Sequence, residues 1–227
     1  MYKRTLLKRS STVGDGGDEL CRCCRSRHMT QVVRSELILG GQKSGKSRRA
    51  EALAQNWLSS DPTRSAVLIA TAQALDGEMR ARIEQHQRDR LSRVPGMITI
   101  EEPLALAQTV GAHSHANKLI VVDCLTLWLT TQLMPMPSGS KQTPRASIAN
   151  TLSAWHTNAT ELCTAIAQAP GPVVVVSNEI GLGVIPLGKE VRDFVDALGL
   201  LNQMVAATCE RVTLMTAGLP LMLKGAT

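Results

Sequence analysis

Residues Leu37 to Ser47, LILGGQKSGKS, restrict the possible folds more than any other part of the chain. A short apolar run enters the pattern Gly-x-x-x-x-Gly-Lys-Ser, made of Gly40, Gly41, Gln42, Lys43, Ser44, Gly45, Lys46 and Ser47. Glycine permits backbone angles that turn successive N–H groups toward one anion, Lys46 has the reach for β and γ phosphates, and the Ser47 hydroxyl suits Mg²⁺. The residues that follow read as a helix, whose N-terminal dipole also favours phosphate. The alternative is an ordinary glycine-rich turn before a capped helix. A strand, this loop and a helix in succession select nucleotide binding on an α/β scaffold.

The rest of the chain agrees with that scaffold. Helical spacing of Ala50, Leu53, Ala54 and Trp57 predicts a helix from Ser47 to Leu58, closed by Asp61 and Pro62. Ala66 to Thr71, Leu119 to Asp123 and Val173 to Ser177 are continuous apolar runs, the signature of strands buried on both faces of a parallel sheet. Helices are predicted over 76–91, with Asp76 as N-cap, and over 104–110, 148–169 and 188–208. Weaker strands are predicted at Met97 to Glu101, Val212 to Thr216 and Leu221 to Leu223. Strands alternating with helices at these lengths give a phosphate-loop, doubly wound, mostly parallel sheet flanked by helices, with ligands at the C-terminal strand ends. Residues 134–147 form the longest irregular stretch, read either as a loop beside the substrate or as a surface insertion.

Charge and cysteine separate the N-terminal segment from this body. Of a net charge of +6, residues 1–34 hold five, with eight Lys or Arg against three Asp or Glu. The body is therefore nearly neutral, and the basicity does not describe a nucleic-acid groove. Residues 1–34 lack apolar periodicity and are expected to be a disordered basic extension, with 35–227 a single nucleotide-binding catalytic domain that begins in earnest near Met29. A transit-like or nucleic-acid-binding arm is the alternative for the extension. Cys21, Cys23 and Cys24 with His28 lack a second spaced pair, which favours reduced thiols over zinc, while Cys124, Cys163 and Cys209 sit in apolar patterns and are expected buried. No apolar run approaches the ~20 residues that cross a bilayer, so membrane insertion is not expected and a cytoplasmic location is.

A phosphate loop by itself says only that a nucleoside triphosphate binds. The distinguishing residues lie at the other strand ends. The loop with Glu51 after it, Ile69 to Gln73, Arg82 and Ile83 followed by His86, Asp123 to Leu129, Ser177 to Gly183 with Pro186, Leu201 to Gln203, and Ala217 to Pro220 occur in this order. Together they closely resemble the bifunctional adenosylcobinamide kinase / adenosylcobinamide-phosphate guanylyltransferase family of cobalamin biosynthesis, over about Glu36 to Lys224. The resemblance implies phosphorylation of the aminopropanol hydroxyl of adenosylcobinamide by ATP or GTP. It then implies transfer of GMP from GTP to the phosphorylated product through a guanylyl-histidine. His86 occupies the histidine position, and nucleotide contacts are implied at the phosphate loop, at Thr71, Ala72 and Gln73, at Gln87, Arg88, Asp89 and Arg90, and at Glu101 and Asp123. The family is often trimeric, which implies a homo-oligomer. Lys43 stands where the family usually has Arg, and an ammonium replaces the bidentate phosphate contact of a guanidinium only in part.

Three assignments also have a physical basis apart from the resemblance. Asp123 ends a buried strand, where an aspartate holds Mg²⁺ directly or through water, or else caps the next helix. On a helix, Arg82 at i−4 and Arg90 at i+4 share the face of His86, and positive neighbours keep an imidazole neutral and nucleophilic. Without the family pattern such a histidine is more often a solvated surface residue. Asn178 and Glu179 follow a buried strand and precede Gly181 and Gly183, so they either meet substrate or serve the turn. The residues alone leave two other classes open: a small-metabolite kinase with no guanylyl step, and a nucleotide switch or nucleic-acid binder that uses the basic extension.

Overall fold

The computed structural model describes residues 31–73, 77–133 and 147–225, except for the side chains of Glu78, Met79, Arg82, His86 and residues 147–153. The expectations for the basic extension over residues 1–30, its cysteines, Asp76 as a cap and most of the irregular stretch over 134–147 lie outside the described residues.

Seven strands form one sheet: β1 (Ser35–Gly40), β2 (Ser65–Ala70), β3 (Met97–Glu101), β4 (Lys118–Asp123), β5 (Val173–Val176), β6 (Arg211–Thr216) and β7 (Leu219–Lys224). Their spatial order is β3-β2-β4-β5-β1-β6-β7. All neighbours run parallel except the β6–β7 hairpin at the edge. The helices are α1 (Lys46–Ser60), α2 (Gly77–Arg93), α3 (Leu106–His113), α4 (Leu125–Leu133), α5 (Ser147–Gln168) and α6 (Lys189–Thr208).

The apolar runs are central strands because both their faces are covered. Leu37 and Leu39 of β1 pack with Val173 and Val175 against the layer that holds Trp128 of α4, Trp155 and Leu162 of α5, and Leu198 and Leu201 of α6. Ile38 faces the other way, with Leu68, Val121 and Val174, onto Ala50, Leu53 and Ala54 of α1. Each fully buried branched side chain of this kind stabilises the fold by about 1.5–3 kcal/mol.

One charge is buried in the centre of the sheet. Glu36, fully buried on β1, accepts hydrogen bonds from Arg49 Nη2 at 2.7 Å and Thr213 Oγ1 at 2.8 Å, with Arg211 Nη1 at 3.4 Å. Removing either guanidinium would leave part of that charge uncompensated, which in buried pairs costs about 3–5 kcal/mol. The cluster ties the first turn of α1 to the strand that feeds the loop before it.

Two elements and one cysteine depart from the sequence expectation. The bounds of α4 are hidden in the sequence because Leu-Thr-Leu-Trp-Leu alternates like a strand; its buried Leu125, Trp128 and Leu129 are nonetheless spaced as a helix face. β7 is longer than Leu221 to Leu223 and includes Pro220, which an edge strand tolerates because one side needs no ladder donor. Cys163 is only half-buried, unlike Cys124 and Cys209. Residues 31–34 join the body: Gln31 O accepts from Arg211 Nη1 at 2.7 Å, and Arg34 Nη2 donates to Ala167 O at 2.6 Å.

Candidate active site

The phosphate loop sits at the C-terminal end of β1, in the centre of the sheet. Gly40 has φ 149°, and a Cβ there would lie 2.5 Å from Met215 O and 2.6 Å from Ser44 Oγ, so no other residue fits. Gly45 has φ 101° at the start of α1, and Lys43, a non-glycine, is held at φ 59°. The surrounding structure enforces these angles. Gly218 N, in the β6–β7 turn, donates to Ser44 O at 3.0 Å, and Glu179 N donates to Gly40 O at 3.1 Å. That turn takes Ala217 and Gly218 through positive φ, as a tight hairpin requires.

Lys46 is buried, and its ammonium donates to Gly41 O at 2.7 Å. Burial lowers its pKa, opposed by the neighbouring Cys124 and Asp123. A desolvated lysine with one neutral carbonyl partner gains most from an arriving anion. The Ser44 hydroxyl is buried with no partner among the described residues, a polar atom left for a bound group.

A cavity of about 500 Å³ opens over this loop. Its walls bring together, from the sequence-predicted set, Gln42 to Ser47, Ala72, Gln87, Asp89, Arg90, Glu101, Asp123 and Asn178. Gly40, Gly41, Thr71, Gln73, Arg88 and Glu179 are outside its lining. Thr71 is fully buried: its hydroxyl donates to Cys124 O at 2.6 Å and accepts from Cys124 N at 2.9 Å. Its side chain staples β2 to the end of β4 and shapes the wall from behind. Arg88 faces solvent beside Glu84 and Gln85. Glu179 turns its carboxylate back to accept from Gly181 N at 2.9 Å, which is turn chemistry. Asn178 both lines the cavity and is fixed, its backbone N and Nδ2 each donating to Thr126 Oγ1 at 3.0 Å.

The far wall is α2 and β3. Arg90 is buried, touches Thr99 Oγ1 at 3.3 Å, and leaves Nε without a partner, with no carboxylate within salt-bridge distance among the described residues. A buried guanidinium with no carboxylate partner that lines a cavity gains from an anion placed there. His86 lies one turn earlier on the same helix, its side chain outside the described part of the structure. Gln87 Nε2 reaches Glu101 Oε1 at 3.4 Å across the rim.

Sequence reasoning missed four lining residues with chemistry of their own: Arg48, Arg93, Thr99 and, as a cavity residue, Glu51. Arg93 Nη1 donates to the buried Glu51 Oε2 at 3.0 Å, joining the last turn of α2 to α1. Helical spacing held the signal: Glu51 is four residues after Ser47, and Arg93 three after Arg90.

Ser47 and Asp123 share the cavity, and no acceptor cluster of three or more His, Cys, Asp or Glu occurs among the described residues. Two oxygen ligands beside a phosphate cradle suit a hard divalent ion that takes its other ligands from phosphate and water. The residues present fit Mg²⁺ in that manner.

A parallel sheet with this loop, an ammonium, an aspartate at the adjacent strand end and a basic far wall defines a phosphate-loop nucleotide-binding protein of the α/β class. The particular family follows from sequence. Residues 36–223 match the family described as cobinamide kinase / cobinamide phosphate guanyltransferase. The chain is 44% identical over 190 residues to the bifunctional adenosylcobalamin biosynthesis protein CobP of Pseudomonas aeruginosa, covering 84% of this chain and 97% of that protein. It is 32% identical over 188 residues to the proteins of that description named CobU from Escherichia coli and from Salmonella typhimurium, covering 83% of this chain and 98% of each. The chain belongs to the cobinamide kinase / cobinamide phosphate guanyltransferase family and is an enzyme of that bifunctional class. No helix among the described residues is long and apolar enough to cross a membrane.

Proposed function

We propose that one cavity carries both reactions: phosphorylation of the aminopropanol hydroxyl of adenosylcobinamide by ATP or GTP, then transfer of GMP from GTP to the phosphate so formed. The observation that carries this reading is a single 500 Å³ cavity lined by the phosphate loop on one side and by the helix of His86 on the other. The loop amides and Lys46 bind the triphosphate, and Ser47 and Asp123 would hold Mg²⁺, which would offset phosphate charge. In the kinase step the acceptor hydroxyl oxygen forms a bond to the γ-phosphorus, the bond to the β-γ bridging oxygen breaks, and nucleoside diphosphate leaves. Asn178 is placed at the wall to orient the acceptor, and Glu179 stiffens the turn behind it.

In the second reaction an imidazole nitrogen of His86 attacks the α-phosphorus and pyrophosphate leaves. An oxygen of the acceptor phosphate then attacks the same phosphorus and breaks the N–P bond, which restores the histidine. Arg90, with spare buried donors, stabilises charge on the attacked phosphate, assisted by Gln87 and Asp89 from α2 and by Glu101 from β3. Gly40, Gly41 and Thr71 act by shape, while Ala72 and Gln73 border the nucleotide; Arg88 contributes positive potential from outside. Residues 35–227 act as one catalytic domain in a homo-oligomer, trimeric by the family pattern, in the cytoplasm. A chain starting at Met29 is expected to retain full activity, and loss of soluble protein or turnover there would assign the N-terminal segment to the enzyme.

The test is incubation with α-labelled GTP. Acid-labile, alkali-stable label on the protein, discharged by adenosylcobinamide phosphate, is expected. Turnover of adenosylcobinamide with no such label would leave a kinase alone.

A further inference from the structure

We infer that the exposed apolar segment between β5 and α6, residues 180–187, is the docking surface for the corrin macrocycle of the acceptor, a reading that rests on the activity proposed above. Leu182 is 82%, Val184 96%, Ile185 78% and Leu187 98% exposed, next to the half-covered Ile180. Four large apolar side chains this open within six residues are a surface awaiting a partner, not scattered apolar residues.

The segment is held in shape and held at the site. Arg192 Nη1 donates to Pro186 O at 3.0 Å and also to Leu187 O, which fixes the far end of the segment to α6. At the near end, Glu179 N is bonded to Gly40 O at 3.1 Å, and Asn178 lines the nucleotide cavity. The apolar residues therefore begin two positions beyond the cavity wall and beside the phosphate loop itself.

Size decides what covers them. A cavity of about 500 Å³ falls within the range that takes one ligand of ordinary dimensions, about 300–1,000 Å³, so the nucleotide uses it. A corrinoid cannot share that volume. It must present one flexible arm, first as a hydroxyl and then as a phosphate, while the ring rests outside. A corrin ring offers flat apolar faces and methyl-bearing edges to side chains such as Val184 and Leu187, with amide arms left to water.

The experiment uses the full chain with the double substitution Val184→Ser and Leu187→Ser, at positions too exposed to support the core. Binding of adenosylcobinamide is followed through its visible absorption, GTP binding by calorimetry, kinase rates over a range of acceptor concentration, and assembly by sedimentation. Losing two branched side chains from a contact should raise the Kd and KM for adenosylcobinamide on the order of tenfold to a hundredfold. GTP affinity, kcat at saturating acceptor and sedimentation should be unchanged. Unaltered corrinoid binding would overturn the inference alone. So would dissociation of an oligomer, with or without weaker corrinoid binding, since it assigns the segment to a second copy of the chain. A wild-type chain that binds GTP but not adenosylcobinamide would overturn the activity reading itself, and this inference with it.

Discussion

The two sides of the nucleotide cavity are fastened to the protein in different ways. On the phosphate-loop side, β1 is fully buried, Ala50, Leu53 and Ala54 of α1 are buried against the sheet, and neighbouring backbone groups hold the loop at 3.0–3.1 Å. On the α2 side, Arg90 is the buried described side chain, and Arg93 reaches Glu51 from a helix otherwise rich in charge. Phosphate binding is thus built into the core, where the geometry is set by packing. Among the described side chains, the far wall is attached through polar contacts at the C-terminal end of its helix, so its placement depends on charges that line the cavity. Under the proposed function, a cradle shared by two reactions gains from rigidity, whereas a histidine that must approach and later release phosphorus does not need it.

The largest expected effect comes from the α2 side. His86→Asn should abolish acid-labile labelling from α-labelled GTP and the guanylyl transfer, while kinase activity persists, because phosphoryl transfer needs positioning and electrostatics but no protein nucleophile. A variant that still labels would place the nucleophile elsewhere and erase the contrast between the walls. Next, Lys46→Ala should lower both activities on the order of a thousandfold, equivalent to about 4 kcal/mol of transition-state stabilisation, in steady-state assays of each. If only one activity falls, the cradle is not shared.

Gly40→Ala probes rigidity directly. Its Cβ would meet Met215 O at 2.5 Å at a φ of 149°, so a loss of about 3 kcal/mol in denaturant unfolding is expected, together with weakened binding of both nucleotides. Glu51→Gln should be milder. It breaks the ion pair to Arg93 while conserving shape, and it should speed amide exchange in α2 by a factor of several while leaving β1 and α1 unchanged. Equal acceleration on both sides would show that the two walls form one cooperative unit.

The smallest effect is one of pH. The free-enzyme pKa of Lys46 is lowered by burial, so its positive charge is lost at a pH below the ordinary 10.5. GTP affinity should therefore begin to weaken in the alkaline range before that pH, with proton uptake on binding measurable by calorimetry in buffers of different ionisation heat. The sign for stability is opposite: a depressed lysine pKa means that the unfolded chain binds the extra proton, so this group's contribution rises with pH between the folded and unfolded values. Binding that holds constant up to the pKa of an unburied lysine would remove Lys46 from direct phosphate contact in the resting site.

Much of the fold is legible in the sequence. Continuous runs such as Val173 to Val176 announce a strand buried on both faces, and the phosphate loop fixes where the ligand lies. What escaped has physical reasons. Thr71 belongs to the segment where the resemblance implies a nucleotide contact, and the engagement of its hydroxyl by the Cys124 backbone is a pairing between residues far apart in sequence. Glu51 and Arg93 are ordinary helix charges until the fold sets α1 beside α2. The contribution of Gly218 to the phosphate loop is likewise invisible in a local pattern, since it depends on the β6–β7 turn reaching Ser44.

That last contact bears on how the enzyme comes into being. The loop motif is made well before Met215 and Gly218, which close over it, and before β6, which flanks β1 in the register Glu36 to Arg211. Pairings this distant in sequence form slowly and late, after much of the chain entropy has already been lost. A ribosome-held chain that stops before β6 carries every residue of the phosphate loop and lacks the backing that shapes it. A nucleotide that binds the shaped loop therefore stabilises only chains in which β6 has paired with β1.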